Sequence, residues 1–119
     1  MKKTLVLGAS AKPSRYSNLA IRSLLHHGKP VIAIGLREAQ VHGIDIQTGQ
    51  PELKDIHTVT MYINAKRQPE YYNYVLNLKP NRVIFNPGTE NPEFYKILQE
   101  NSIEVDQACT LVLLSTDQY

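Results

Sequence analysis

Lys3-Thr4-Leu5-Val6-Leu7-Gly8-Ala9-Ser10-Ala11-Lys12-Pro13-Ser14-Arg15-Tyr16-Ser17 starts as an apolar run and ends as a small, hydroxyl-rich, basic loop. The run from Lys3 to Leu7 lacks polar alternation, as expected of a strand buried on both faces, and Gly8 bounds it. Ser17 suits the cap of a helix whose Ala20, Ile21, Leu24 and Leu25 form one apolar stripe. Gly28 stops that helix, and Pro30-Val31-Ile32-Ala33-Ile34-Gly35 reads as a second buried strand. Strand, loop, helix and strand in this order make a parallel βαβ unit.

Working outward, the same alternation continues. The stretch from Leu36 to Ile56 is weakly patterned, with a short strand expected within Val41–Ile46 and a helical turn at Pro51-Glu52-Leu53. Thr58–Ile63 is rich in β-branched residues and reads as a third strand. A helix is expected from about Gln68-Pro69, with Tyr71, Tyr72, Val75 and Leu78 inward, ending before Pro80. Arg82–Phe85 is a fourth strand. Asn91 caps a helix that begins at Pro92 and turns Phe94, Ile97 and Leu98 inward. Ile103-Glu104-Val105 makes a fifth strand, and the apolar tail from Ala108 to Ser115 reads as a helix. The expected fold is α/β and Rossmann-like: a doubly wound, mainly parallel five-stranded sheet with helices on both faces, in one domain over residues 1–119.

Composition narrows the function. At 119 residues the chain can bury roughly two-thirds of its unfolded surface without disulfides or metal. Its net charge of +2 and scattered basic residues argue against a nucleic-acid surface. No apolar run approaches the roughly 20 residues that span a bilayer, so no membrane partner is expected. The single cysteine, Cys109, suits a reducing compartment, and the cytoplasm is the expected location.

In an open parallel sheet, ligands bind beyond the carboxyl ends of the strands. After the first strand, Gly8 and Ala9 let backbone approach a phosphate, Ser10 and Ser14 offer hydroxyls, and Lys12 and Arg15 offer charge. Gly8 would equally serve a plain strand-to-helix turn. The loop is not the G-x-G-x-x-G dinucleotide fingerprint, because Ser10 and Pro13 stand where the second and third glycines would be. Past the second strand comes Arg37, better suited to a phosphate than to a ribose hydroxyl pair, which argues against NAD. An NADP-dependent oxidoreductase rests on Arg37 alone, and a solvated surface arginine is the plain alternative. Asn64-Ala65-Lys66-Arg67 follows the third strand, and Asn86-Pro87-Gly88-Thr89-Glu90-Asn91 follows the fourth. A capped turn explains Pro87, Gly88 and Asn91 but leaves Thr89-Glu90 without a role.

The string from Gly8 to Asn18, the strand Pro30–Ile34 and the turn Asn86–Asn91 together resemble the small single-domain CoA-binding protein family. That family is similar in turn to the CoA-binding domain of the succinyl-CoA synthetase α subunit. The resemblance implies a Rossmann-like fold with coenzyme A phosphates over the first loop, at Gly8, Ala9, Ser10, Ser14 and Arg15. It also implies that Arg37 approaches the nucleotide end while Asn64, Pro87 and Gly88 line the cleft. Many members follow the second strand with an asparagine-proline pair, whereas this chain has Gly35-Leu36-Arg37. That family lacks the second synthetase domain, which carries a phosphorylated histidine, and no residue of this sequence is expected to replace it.

No catalytic constellation stands out. His26 and His27 read as solvent-facing residues at a helix end, and His42 and His57 lack metal-ligand spacing. Glu38, Asp45, Glu52 and Asp55 form no recognisable acid–base pair. Cys109 reads as a packing residue; near the cleft it could instead form a mixed disulfide with the coenzyme A thiol. Tyr71, Tyr72 and Tyr74 must cover at least two helix faces, which suggests partial exposure and a possible homodimer. The expected function is binding of coenzyme A or an acyl-CoA without turnover. The alternatives are the CoA-binding subunit of a separately encoded acyl-CoA synthetase, and the NADP enzyme.

Overall fold

The computed structural model describes residues 3–119. In chain order the elements are β1 (Lys3–Ala9), α1 (Tyr16–His26), β2 (Val31–Gly35), β3 (Ala39–Val41), β4 (Ile44–Gln47) and β5 (Ile56–Met61). A 3₁₀ turn (Gln68–Tyr71) then runs into α2 (Tyr72–Leu78), followed by β6 (Arg82–Phe85), α3 (Pro92–Glu100), β7 (Glu104–Gln107) and α4 (Thr110–Ser115). The seven strands lie in the order β3-β4-β2-β1-β5-β6-β7. All pairings are parallel except β3 with β4. This is a Rossmann-like α/β fold.

The apolar strands run unbroken because both sheet faces are covered. Along β1, Leu5 and Leu7 face a core built with Val59, Met61, Val83 and Phe85 under Tyr74, Val75, Phe94 and Leu98. Val6 and Ala9 face the opposite core, with Ala33, Ile46, Ile21, Leu24 and Leu114. The helices expected over α1, α3 and the tail are present, and Asn91 caps α3 by accepting from Phe94 N–H at 3.3 Å.

Several expectations need correction. The sheet has seven strands, not five, because Ala39–Gln47 forms a hairpin whose two-residue loop is His42-Gly43, with φ of 52° and 82°. Two positive φ values are what a type I′ turn requires, and they match the twist of the paired strands. Pro51-Glu52-Leu53 is not helical. Tertiary contacts fix it instead: Tyr74 O–H donates to Pro51 O at 2.6 Å, and Leu53 packs on the first core. Ser17 is not the cap of α1. The helix begins two residues earlier than that cap implies, at Tyr16; Arg15 holds the cap position without a side-chain bond, and Ser17 is buried in the first turn.

The helix expected from Gln68 starts as the 3₁₀ turn and becomes α-helical only at Tyr72. Its tyrosines do not reach outward. Tyr71 and Tyr74 are buried and stack edge-on, while half-buried Tyr72 lies against Phe94 and donates to Glu93 at 2.9 Å. A dimer therefore has no exposed tyrosine on this helix to rest on. No helix among the described residues is long and apolar enough to cross a membrane.

Candidate nucleotide site

The chain leaves β1 toward β2 and β4, then crosses to β5 on the other side of β1. The order reverses between β1 and β5, and the loops past their carboxyl ends diverge there to leave a crevice. A cleft of about 610 Å³ occupies this position. Of the residues singled out from sequence, Gly8, Ala9, Ser10, Lys12, Arg15, Arg37, Asn64, Pro87 and Gly88 all line it. Ser14 does not; it is exposed and outside the lining, so its hydroxyl is not brought to the cleft.

Gly8 sits at a bulge in β1, where the register with β2 shifts between Leu7 and Ala9, and its φ is +103°. The backbone then turns through Ser10, whose Oγ accepts from Lys12 N–H at 3.2 Å, and enters α1 with no side chain capping the helix. The uncapped first turn leaves N–H groups and the positive end of the helix dipole beside Arg15, Tyr16 and Ser17, all of which line the cleft.

The lining carries four cations, Lys12, Arg15, Arg37 and Arg67, and no carboxylate. Arg67 was not among the residues singled out from sequence. It follows Asn64, whose Oδ1 accepts from Arg67 N–H at 3.2 Å, and its guanidinium pairs with exposed Glu70 at 3.3 Å. Tyr16 and Leu36, 71% and 72% exposed, are large side chains left open at the mouth of the same cleft. A cleft with polycationic walls, a free helix terminus and apolar residues at the rim is suited to a phosphorylated ligand with an aromatic or aliphatic part.

Buried amides hold the walls in place. Gln68 is fully buried and donates from Nε2 to Ile63 O (2.9 Å) and Thr89 O (2.7 Å), while its Oε1 accepts from Asn91 Nδ2 (2.9 Å). It thereby ties the loop after β5 to the loop after β6. Asn86 donates to Thr60 Oγ1 (2.7 Å) and Met61 O (2.9 Å) and accepts from Thr110 N–H (2.8 Å), linking β6, β5 and α4. Thr89 and Glu90 also gain roles here. Thr89 Oγ1 donates to Asn86 O at 2.7 Å, and Glu90 Oε1 accepts from Gly88 N–H at 2.9 Å. The Gly88 N–H is thus already engaged within its own turn.

Tyr62 lines the cleft floor with its hydroxyl sealed against Thr60 and Thr110, without a well-aligned hydrogen bond. Burial, reinforced by nearby Cys109, pushes its phenol up to about 12, so it stays protonated across the physiological range. Cys109 is half-buried at the start of α4 and is not part of the cleft lining. His26 and His27 are exposed at the end of α1, as expected. No group of three or more His, Cys, Asp or Glu among the described residues could hold a metal ion.

A Rossmann-like sheet with a cationic cleft at its reversal point is an arrangement in which α/β domains hold nucleotides. The model of the CoA binding domain family matches residues 2–115, and the chain belongs to that family. It is similar to the crystal structure of an uncharacterized protein at 49% identity, with a TM-score of 0.97 over 100% of this chain and 98% of that one. A Thermus thermophilus protein, cell-free ID.343, is 25% identical with a TM-score of 0.87 over 99% of this chain and 90% of the other. A hypothetical protein from Pyrococcus horikoshii OT3 is also 25% identical, with a TM-score of 0.88 over 97% and 82% of the two chains. No curated protein matches the chain.

Proposed function

We propose that this protein binds coenzyme A or an acyl-CoA in the cleft above β1 and β5, and does so without transforming it. The observation that carries the reading is the lining itself: four cationic side chains and an uncapped helix terminus, with the nearby carboxylates of Glu70 and Glu90 held by Arg67 and by the Gly88 N–H. In this reading the pyrophosphate lies over Gly8, Ala9 and Ser10, within reach of Lys12 and Arg15. Arg37 and Arg67 stand on separate loops and serve the remaining phosphate, while Asn64, Pro87 and Gly88 bound the cleft. Ser14, given a phosphate-binding role from sequence, is omitted because it stands outside the lining.

Membership of the CoA binding domain family supports coenzyme A over NAD or NADP as the ligand. The missing second and third glycines of the dinucleotide fingerprint point the same way. Binding without turnover is supported by the composition of the lining, which has no histidine, cysteine or carboxylate to act as base or nucleophile.

Thermal and calorimetric titration with coenzyme A, acetyl-CoA, 3′-dephospho-CoA, NADP and NAD tests the reading. Coenzyme A at about 100 times its dissociation constant should stabilise the fold by roughly 2.7 kcal/mol. The dephospho form should bind more weakly, and NAD should not bind. Equal stabilisation by NAD, or none by coenzyme A, would overturn it.

A further inference from the structure

The β3–β4 hairpin extends the sheet beyond β2 and gives it an antiparallel edge. Its turn residue His42, at φ 52°, reaches a buried side chain: His42 Nε2 lies 2.9 Å from Asn18 Oδ1. Asn18, on the first turn of α1 and only 4% exposed, donates from Nδ2 to Ser10 O at 3.1 Å. The three groups form one chain from the sheet edge to the first loop.

The direction of each bond follows from chemistry. Ser10 O can only accept, so Asn18 must present its NH₂ there and its carbonyl oxygen to His42. That oxygen can only accept, so His42 must carry a proton on Nε2. A flipped Asn18 amide would set two carbonyl oxygens against each other at Ser10; the His42 donor holds the amide the right way round. In a trans peptide the C=O and the next N–H point in opposite directions. Holding the Ser10 carbonyl toward α1 therefore turns the Ala11 N–H away from it. Ala11 lines the cleft, and its N–H takes part in no hydrogen bond among the described residues.

We propose that His42 and Asn18 are positioning residues of the nucleotide site: His42 sets the Asn18 amide, and Asn18 orients the Ser10–Ala11 peptide so that its N–H donates to a ligand phosphate. The effect on ligand affinity rests on the coenzyme A reading; the effect on the peptide does not.

The test is a double-mutant cycle with coenzyme A as the probe, using Asn18→Ala, His42→Ala, the double variant and His42→Gln. Loss of a hydrogen bond on this scale should weaken coenzyme A binding about tenfold for Asn18→Ala and about fivefold for His42→Ala. In the Asn18→Ala background, His42→Ala should have no further effect. His42→Gln, which retains a donor, should recover most of the wild-type affinity, a rescue that loss of fold stability would not give. Melting temperatures identify any variant that fails to fold, and exposed His42 keeps the test open if buried Asn18 does not tolerate substitution. The Ala11 amide signal in ¹H–¹⁵N spectra of the ligand-free protein is followed in parallel. It should shift in both alanine variants and return in His42→Gln. Additive losses in the cycle, or an unmoved Ala11 signal, would overturn the proposal. If the wild-type protein does not bind coenzyme A, the proposed function fails and the relay stands or falls on the Ala11 signal alone.

Discussion

Gly8 and Tyr62 meet backbone to backbone: a Cβ added at Gly8 would lie 2.9 Å from the Tyr62 carbonyl carbon and 3.1 Å from Ile63 N. Contact this close draws the end of β5 against the bulge in β1 and sets the width of the cleft floor. A side chain at Gly8 must push β5 away as well as adopt a φ of +103°, which L residues rarely take. Gly8→Ala should therefore lose on the order of 2–4 kcal/mol of stability and most of its coenzyme A affinity. Urea unfolding and calorimetry measure the two, and wild-type stability in this variant would contradict the packing described.

Arg67 and Ser14 make a paired comparison, because one lines the cleft unforeseen and the other was expected there and does not. Arg67→Ala should weaken coenzyme A binding about tenfold or more, with a smaller salt dependence of the dissociation constant. Its exposed pair with Glu70 is worth little, so unfolding free energy should change by less than about 0.5 kcal/mol. Ser14→Ala should bind as wild type does. Titration of both variants at two salt concentrations decides the matter.

Asn86 satisfies three buried partners at once, and truncating it leaves each without its bond. Asn86→Ala should destabilise the fold by about 2–4 kcal/mol. Asn86→Asp should also destabilise it, since a carboxylate cannot donate to Thr60 Oγ1 or Met61 O. Chemical denaturation of both variants checks this. A loss below about 1 kcal/mol in both would show that the three groups find other partners.

Tyr62 and Tyr74 should make stability fall at alkaline pH. Burial pushes both phenols up to about 12 in the folded chain, against about 10 when unfolded. Between these values the unfolded chain has released protons that the native state still holds. Unfolding then releases protons, and stability falls as pH rises. The contribution is fully present below pH 10 and is lost toward pH 12, with a drop on the order of 1–2 kcal/mol for each residue. Tyr74→Phe should be less stable than wild type at pH 9, having lost its bond to Pro51 O, yet decline less between pH 9 and 11.5. Parallel declines would remove Tyr74 from the account.

The order of the inner elements is readable because β1, β2 and the apolar part of β6 are short runs without alternation, and glycine, proline or asparagine follows most elements. The lining loops followed from topology, since carboxyl ends of strands are identifiable once the strands are. The hairpin was only half seen. Its strands of three and four residues are too short for a periodic signal, and His42-Gly43 is a weaker turn mark than Asn-Gly. Arg67 is not legible as a cleft residue because the run Asn64-Ala65-Lys66-Arg67 does not disclose which side chain turns inward; the backbone ahead of the 3₁₀ turn decides that. Gln68 was placed correctly near a helix start, but its three buried bonds join residues 5 to 23 positions away and leave no local trace.

The two outermost strands have a consequence for how the molecule meets its neighbours. One rim is the three-residue strand Ala39–Val41, and the other, Glu104–Gln107, carries two carboxylates in four residues. Brevity at one border and the exposed Glu104 carboxylate at the other, beside an Asp106 already paired with Arg82, discourage a second molecule from continuing the hydrogen-bonded ladder. Stacking into fibrils by strand addition is thus disfavoured at both ends, and lasting self-association would have to be made by side chains on the helical layers.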